Sequence, residues 1–233
     1  MFYGKRKAVT FSYDDGVTQD IRLAALFHKY GLKATFNLNS DRLGKTGQLI
    51  RDGKVVRHDK NHAADLRLIY EGHEIAAHTL NHPLLPSLES EAEIVRQVEE
   101  DRLRLSELAG YEVIGFAYPG GGINYDSRVS RIIREKTGIR YARTTVSTYG
   151  FVPQDDLFEF KPTAYHHRDM DRLFELAEQF LADDGEDPLL FYIWGHAYEF
   201  DIFENWDRFE ELCKLLSGHS DVFYGTNREV LLP

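Results

Sequence analysis

Along this chain, short apolar runs rich in β-branched and aromatic residues alternate with longer stretches whose apolar positions recur every three or four residues. "KAVTFSY" predicts a first strand, closed by the Asp14-Asp15-Gly16 turn. "TQDIRLAALFHKYG" predicts a helix with Thr18 as N-cap and Gly31 as its stop. "KATFNLN" is a second strand, "NHAADLRLIYEG" a short helix ending at Gly72, and "HEIAAHT" a third strand. "SEAEIVRQVEEDRLRLSELAG" carries the strongest helical period; Ser90 and Glu93 have capping-box spacing, and Gly110 ends it. "VIGFAYP", "IRYART", "LLFYIWG" and "DVFYG" complete seven expected strands, separated by the helical stretches 126–138, 170–185 and 206–218.

Strand–helix alternation of this kind implies parallel strands, because parallel neighbours need crossover connections. The expectation is an α/β fold: a distorted barrel of about seven parallel strands, with its site where the strand C-termini converge. An open doubly wound sheet is the other arrangement. No Gly-rich phosphate fingerprint follows the first strand, and "YPGGG" lacks the Lys-Ser/Thr pair of a phosphate loop, so nucleotide binding is disfavoured. The least regular stretch is 144–168, a loop long enough to suggest function.

Composition narrows this picture. The 233 residues are expected to form one domain. A formal net charge of -10 argues against nucleic acid and against an anionic membrane surface. The single cysteine, Cys213, sits in an apolar helical pattern and reads as a core filler. Neither a signal peptide nor a membrane span is visible, so a cytoplasmic protein is expected.

The residues ending the strands are Asp14 and Asp15, Asn39, His78, Tyr118, Arg143 and His196. Taken singly, each has a plain reading. Asp-Asp-Gly is a good turn, His78 and His82 could be unrelated, and His196 could be a hydrogen-bonded core histidine. Taken together on one barrel rim, two histidines and one carboxylate make a catalytic-metal set. The other carboxylate is then free to act as a base, and His196 as a general acid. Tyr198 could line the same cleft, and Glu199 reads as the start of the next helix. His166 and His167 could overhang the site or form a solvated pair. His73 falls on the strand face opposite His78, and His28, His58, His62 and His219 read as structural or surface residues.

With "VTFSYDDG", "GHEIAAHTLNH", "GFAYPGG" and "FYIWGH" in this order, the chain resembles the polysaccharide deacetylases, the NodB-homology group or carbohydrate esterase family four. The resemblance implies Asp14 as catalytic base, Asp15, His78 and His82 as ligands of one divalent metal, usually zinc, and His196 as general acid. It implies removal of N- or O-linked acetyl groups from a saccharide. The sequence departs from the family at its third motif. Ala117 stands where an Arg that steadies the base is usual, and Gly120 where an aromatic residue supplies the oxyanion-binding N–H. Arg143, at the end of the fifth expected strand, is the candidate replacement for the missing guanidinium. Tyr118, Gly120 and Arg143 are therefore expected around the substrate and its oxyanion. The aspartate that tunes the general acid in the family has no clear match. An acetylated saccharide or small acetylated metabolite is the expected partner. A non-sugar amide or imide, or binding without catalysis, are the rival readings.

Overall fold

The computed structural model describes residues 2–51 and 53–232, without the side chains of 168 and 169. The first half runs β1 (Lys7–Asp14), α1 (Asp20–Lys29), β2 (Ala34–Leu38), β3 (Gln48–Arg51), β4 (Lys54–Arg57), α2 (Leu66–Ile69), β5 (Glu74–Ala77), α3 (Glu91–Val95) and α4 (Asp101–Ala109). There follow β6 (Gly115–Ala117), α5 (Ser127–Lys136), β7 (Tyr141–Arg143), β8 (Ala164–Tyr165), α6 (His166–Ala182), β9 (Leu189–Gly195), α7 (Glu199–Phe203), α8 (Trp206–Leu216), β10 (Val222–Tyr224) and α9 (Asn227–Leu231).

Seven parallel strands follow one another in the order β7-β6-β5-β2-β1-β9-β8, and β10 pairs with the first half of β1. The sheet curls into a distorted barrel, as the alternation of elements predicts. β1 and β9 are buried along their whole length, which is why both read as nearly unbroken apolar runs. Phe11, Phe27, Phe36, Phe191, Phe200 and Phe209 lie in the core that the helices cover. The irregular stretch after β7 fills the gap between the two ends of the sheet. Phe160 donates its N–H to the Ala142 carbonyl and accepts one from Thr144, the Ala142 N–H donates to the Leu157 carbonyl, and Thr163 donates to the Tyr192 carbonyl of β9.

Several local expectations are met and others are corrected. Ser90 caps α3 through the Glu93 N–H, and Gly110 ends α4 in the left-handed region at φ 82°. Between those helices, Arg96–Glu100 forms a π turn. The first helix begins later than expected, with Gln19 rather than Thr18 at the N-cap. The antiparallel β3–β4 hairpin and α9 were not anticipated. Among the described residues, no helix is long and apolar enough to cross a membrane.

Candidate active site

The C-terminal ends of the strands surround a cleft of about 580 Å³. Asp14 ends β1 and is 2% exposed. Arg143 Nη2, from the end of β7, lies 2.5 Å from Asp14 Oδ1 and 2.6 Å from Oδ2. Asn37 Nδ2 donates to Oδ1 at 2.7 Å. Burial pushes the Asp14 carboxyl up, but Arg143, with His78 and His196, outweighs it and holds the pKa below the ordinary carboxylate range. Arg143 is itself fully buried, with its guanidinium 4.5 Å over the Trp194 ring.

Asp15 adopts φ 85° and donates its N–H to the Asn37 carbonyl at 3.0 Å, so the chain turns sharply between the two carboxylates. Gly16 follows at φ 62°, where a Cβ would meet Leu38 Cδ2 at 2.8 Å. Thr79 and His82 also occupy the left-handed region, at φ 69° and 66°. Strained backbone thus gathers where these side chains converge, as it often does at functional sites. The tight turn after β5 carries His82 back towards His78; their ring centroids are 4.9 Å apart. Thr79 Oγ1 accepts the His82 N–H at 3.0 Å.

The donor set fits a divalent ion. One ligand atom each from Asp15, His78 and His82 lies within 4.8 Å of the others. His78 Nδ1 is 2.8 Å from the Ala117 carbonyl, so it carries the proton and leaves the Nε2 lone pair free. Burial lowers the His78 pKa to about 4, which keeps the ring neutral, as a ligand must be. Burial raises the Asp15 pKa, but Lys60, His58, His196 and His82 reverse this and hold it well below the usual value.

His196 follows β9. Its Nδ1 is 3.3 Å from Glu199 Oε2, and its backbone N–H donates to the same oxygen at 3.2 Å. Glu199 is fully buried, bonded to the Tyr165 hydroxyl and 2.7 Å from Arg51. Burial lowers the His196 pKa; Glu199 foremost, with Asp15 and Asp14, more than offsets this, and the result lies above the usual imidazole value. Glu199 is therefore more than the opening residue of a helix. It is the acidic partner of His196 that has no match in the sequence motifs.

Other residues depart from expectation. Tyr118 is turned away from the cleft: its hydroxyl donates to the Phe158 carbonyl at 2.8 Å and its N–H to the Arg143 carbonyl at 3.0 Å. Gly120 does line the cleft, beside Gly121 and Gly122. His58 is no bystander: it lines the cleft with Nε2 3.1 Å from Asp15 Oδ2. His166 neither overhangs the cleft nor meets solvent. It is buried at the start of α6, stacked on Phe200 at 4.4 Å, and a Cβ on Gly195 would meet its Nδ1 at 1.8 Å. His167 stacks on Phe203 at 4.1 Å. His73 stacks on His28 at 4.7 Å, away from the ligand set.

The profile of the family described as polysaccharide deacetylase matches residues 3–142, more than half of the chain. The chain belongs to the polysaccharide deacetylase family. Solved members of this group share the fold. The peptidoglycan N-acetylglucosamine deacetylase Bc1960, in complex with a naphthalenyl N-oxidanyl-benzamide, is 17% identical over 99% of this chain and 90% of its own, with a TM-score of 0.57. Streptococcus pyogenes deacetylase PplD, in complex with acetate, is 20% identical over 64% of this chain, which spans 61% of its length, with a TM-score of 0.50. BA3943 from Bacillus anthracis, described as a pseudoenzyme, is 16% identical over 97% of this chain and 66% of its own, with a TM-score of 0.55. No curated protein matches the chain. Because this deacetylase fold is carried by pseudoenzymes too, activity has to be argued from the side chains present.

Proposed function

We propose that this chain is a metal-dependent deacetylase that hydrolyses N- or O-linked acetyl groups on a saccharide. One observation carries the reading: a buried carboxylate held ionised by Arg143 adjoins a compact Asp-His-His donor set in the same cleft. Asp15, His78 and His82 are the residues that would hold the ion, zinc being the first choice for this donor set. When bound, the ion supplies an acidified water and polarisation of the acetyl carbonyl.

The chain's own residues do the rest. Arg143 bonds both oxygens of Asp14 and Asn37 adds a second donor on Oδ1, so Oδ2, 4.0 Å from His78 Nε2, is the less occupied oxygen and lies on the donor-set side. Asp14 Oδ2 is the base that takes the proton of the attacking water. Arg143 fixes the orientation of that carboxylate and keeps it ionised, the task left open by Ala117. Gly120 lines the cleft, and its N–H is assigned as the backbone donor to the developing oxyanion. His196, whose pKa Glu199 raises, gives its proton to the departing nitrogen or oxygen, releasing acetate and a free amine or hydroxyl. Pure binding would require neither Asp14 nor His196.

The test is acetate release by the zinc-loaded protein across a panel of N- and O-acetylated sugars, with non-sugar amides and imides as controls. Release from sugars that is lost in Asp14→Asn and His196→Ala supports the proposal. Turnover of the non-sugar amides alone moves the substrate class, and release unaffected by Asp14→Asn contradicts the mechanism.

A further inference from the structure

Of four arginines and lysines at the cleft, three face one of its carboxylates and one does not. Asp14 faces Arg143, Glu199 faces Arg51 at 2.7 Å, and Asp15 has Lys60 at 3.7 Å. Arg42 also lines the cleft, yet among the described residues it has no ion-pair partner; the neighbouring Asp41 is taken by Arg104. Arg42 Nε and Nη2 both donate to the Asn81 carbonyl, at 3.1 and 2.6 Å. This anchors the planar head one residue before His82 and leaves Nη1 without a protein partner among the described residues.

An unpaired guanidinium beside a cation-binding site is unfavourable on its own. The protein as a whole is acidic, with a formal net charge of -10. A neutral acetylated sugar offers this group only neutral hydroxyl and carbonyl acceptors. A carboxylate or phosphate oxygen offers a stronger, charge-assisted one, because an anchored guanidinium presents directional N–H donors to an oxyanion.

We infer that the substrate is an acidic acetylated sugar, whose carboxylate or phosphate seats on Arg42 while its acetyl group lies over Asp14 and the Asp15-His78-His82 set. This rests on the deacetylase reading above and narrows its substrate class. Arg42 acts as a specificity residue: it selects the charged substrate and leaves the proton transfers to Asp14 and His196.

The experiment compares acetate release by the zinc-loaded full chain from N-acetylglucosamine 6-phosphate, N-acetylmuramic acid and uncharged N-acetylglucosamine. The wild type is expected to favour at least one acidic sugar in kcat/KM by roughly 10- to 100-fold, the range of a charge-assisted hydrogen bond. Which acidic sugar is favoured distinguishes phosphate from carboxylate. In Arg42→Gln that ratio falls to near 1, mainly through KM, and Arg42→Lys restores part of it. Equal rates on charged and neutral sugars in the wild type, or an unchanged ratio in Arg42→Gln, overturn the inference. If no sugar is deacetylated, calorimetric titration with the same three compounds decides separately. Binding of an acidic sugar by wild type and not by Arg42→Gln keeps the anion seat while the deacetylase reading falls. Equal binding, or none, overturns the seat as well.

Discussion

Arg143 Nη2 bridges both carboxylate oxygens of Asp14, at 2.5 and 2.6 Å, from 129 residues away in sequence. This contact joins the ends of β7 and β1, which are not neighbours in the sheet. It places a guanidinium on the proposed base although the third motif lacks one. Arg143→Met leaves the Asp14 charge buried and unpaired. A loss of about 3–5 kcal/mol in stability is expected, measured by denaturant unfolding. Since Arg143 holds the Asp14 pKa down, its removal raises that pKa, and the acidic limb of the kcat/KM profile moves to higher pH. An unmoved limb would show that Arg143 does not act on the base.

Glu199 raises the pKa of His196 and accepts from both its ring and its backbone. Glu199→Gln removes the charge and keeps the shape. His196 then loses its proton at lower pH, so the basic limb of the profile moves down. A shift of the basic limb alone, with zinc affinity retained, separates this positioning role from a general loss of structure.

Much of the site can be read in the sequence because its residues end strands whose apolar runs are unambiguous. Asp14, Asp15, His78 and His196 each follow such a run. Glu199 was harder to see because its partners Arg51 and Tyr165 are 148 and 34 residues away. His58 reaches Asp15 only because the 57–61 segment lies antiparallel to the first turn, through Val17 and Lys60, which no local period signals. The β3–β4 hairpin leaves little trace in the sequence, since each strand has four residues, mostly exposed or half-exposed. Tyr118 misled because the sequence locates a strand end but not the direction of a side chain beyond it. α9 does have a local signal, the full capping box of Thr226 and Glu229.

Lys60 sits 5% exposed beside Asp15, where its charge opposes a bound cation. Lys60→Met is expected to tighten zinc binding while weakening the zinc-free fold, since Asp15 then depends on the ion for its counter-charge. The melting-temperature gain on adding zinc therefore grows in the variant. An equal or smaller gain would contradict the opposition of the two charges.

Asp20, outside the donor set, is buried and accepts the Tyr70 hydroxyl at 2.7 Å. Burial, only partly opposed by Tyr70 and Lys60, raises its pKa to about 8. A carboxyl whose folded pKa is raised stabilises fully below its unfolded value, near 4, and this contribution is lost as pH rises through about 8. Asp20→Asn removes the dependence. Melting curves at pH 5 and pH 9 are expected to show the variant gaining on the wild type at the higher pH; a parallel decline would mean that Asp20 is ionised in the folded protein.

The division of labour between the adjacent carboxylates is the centre of this account. Its most direct test is calorimetric titration of zinc into metal-stripped wild type, Asp14→Asn and Asp15→Ala. The account predicts one tight site in the wild type, a site of similar affinity in Asp14→Asn, and its loss in Asp15→Ala. Equal loss in both variants, or no tight site in the wild type, would contradict it.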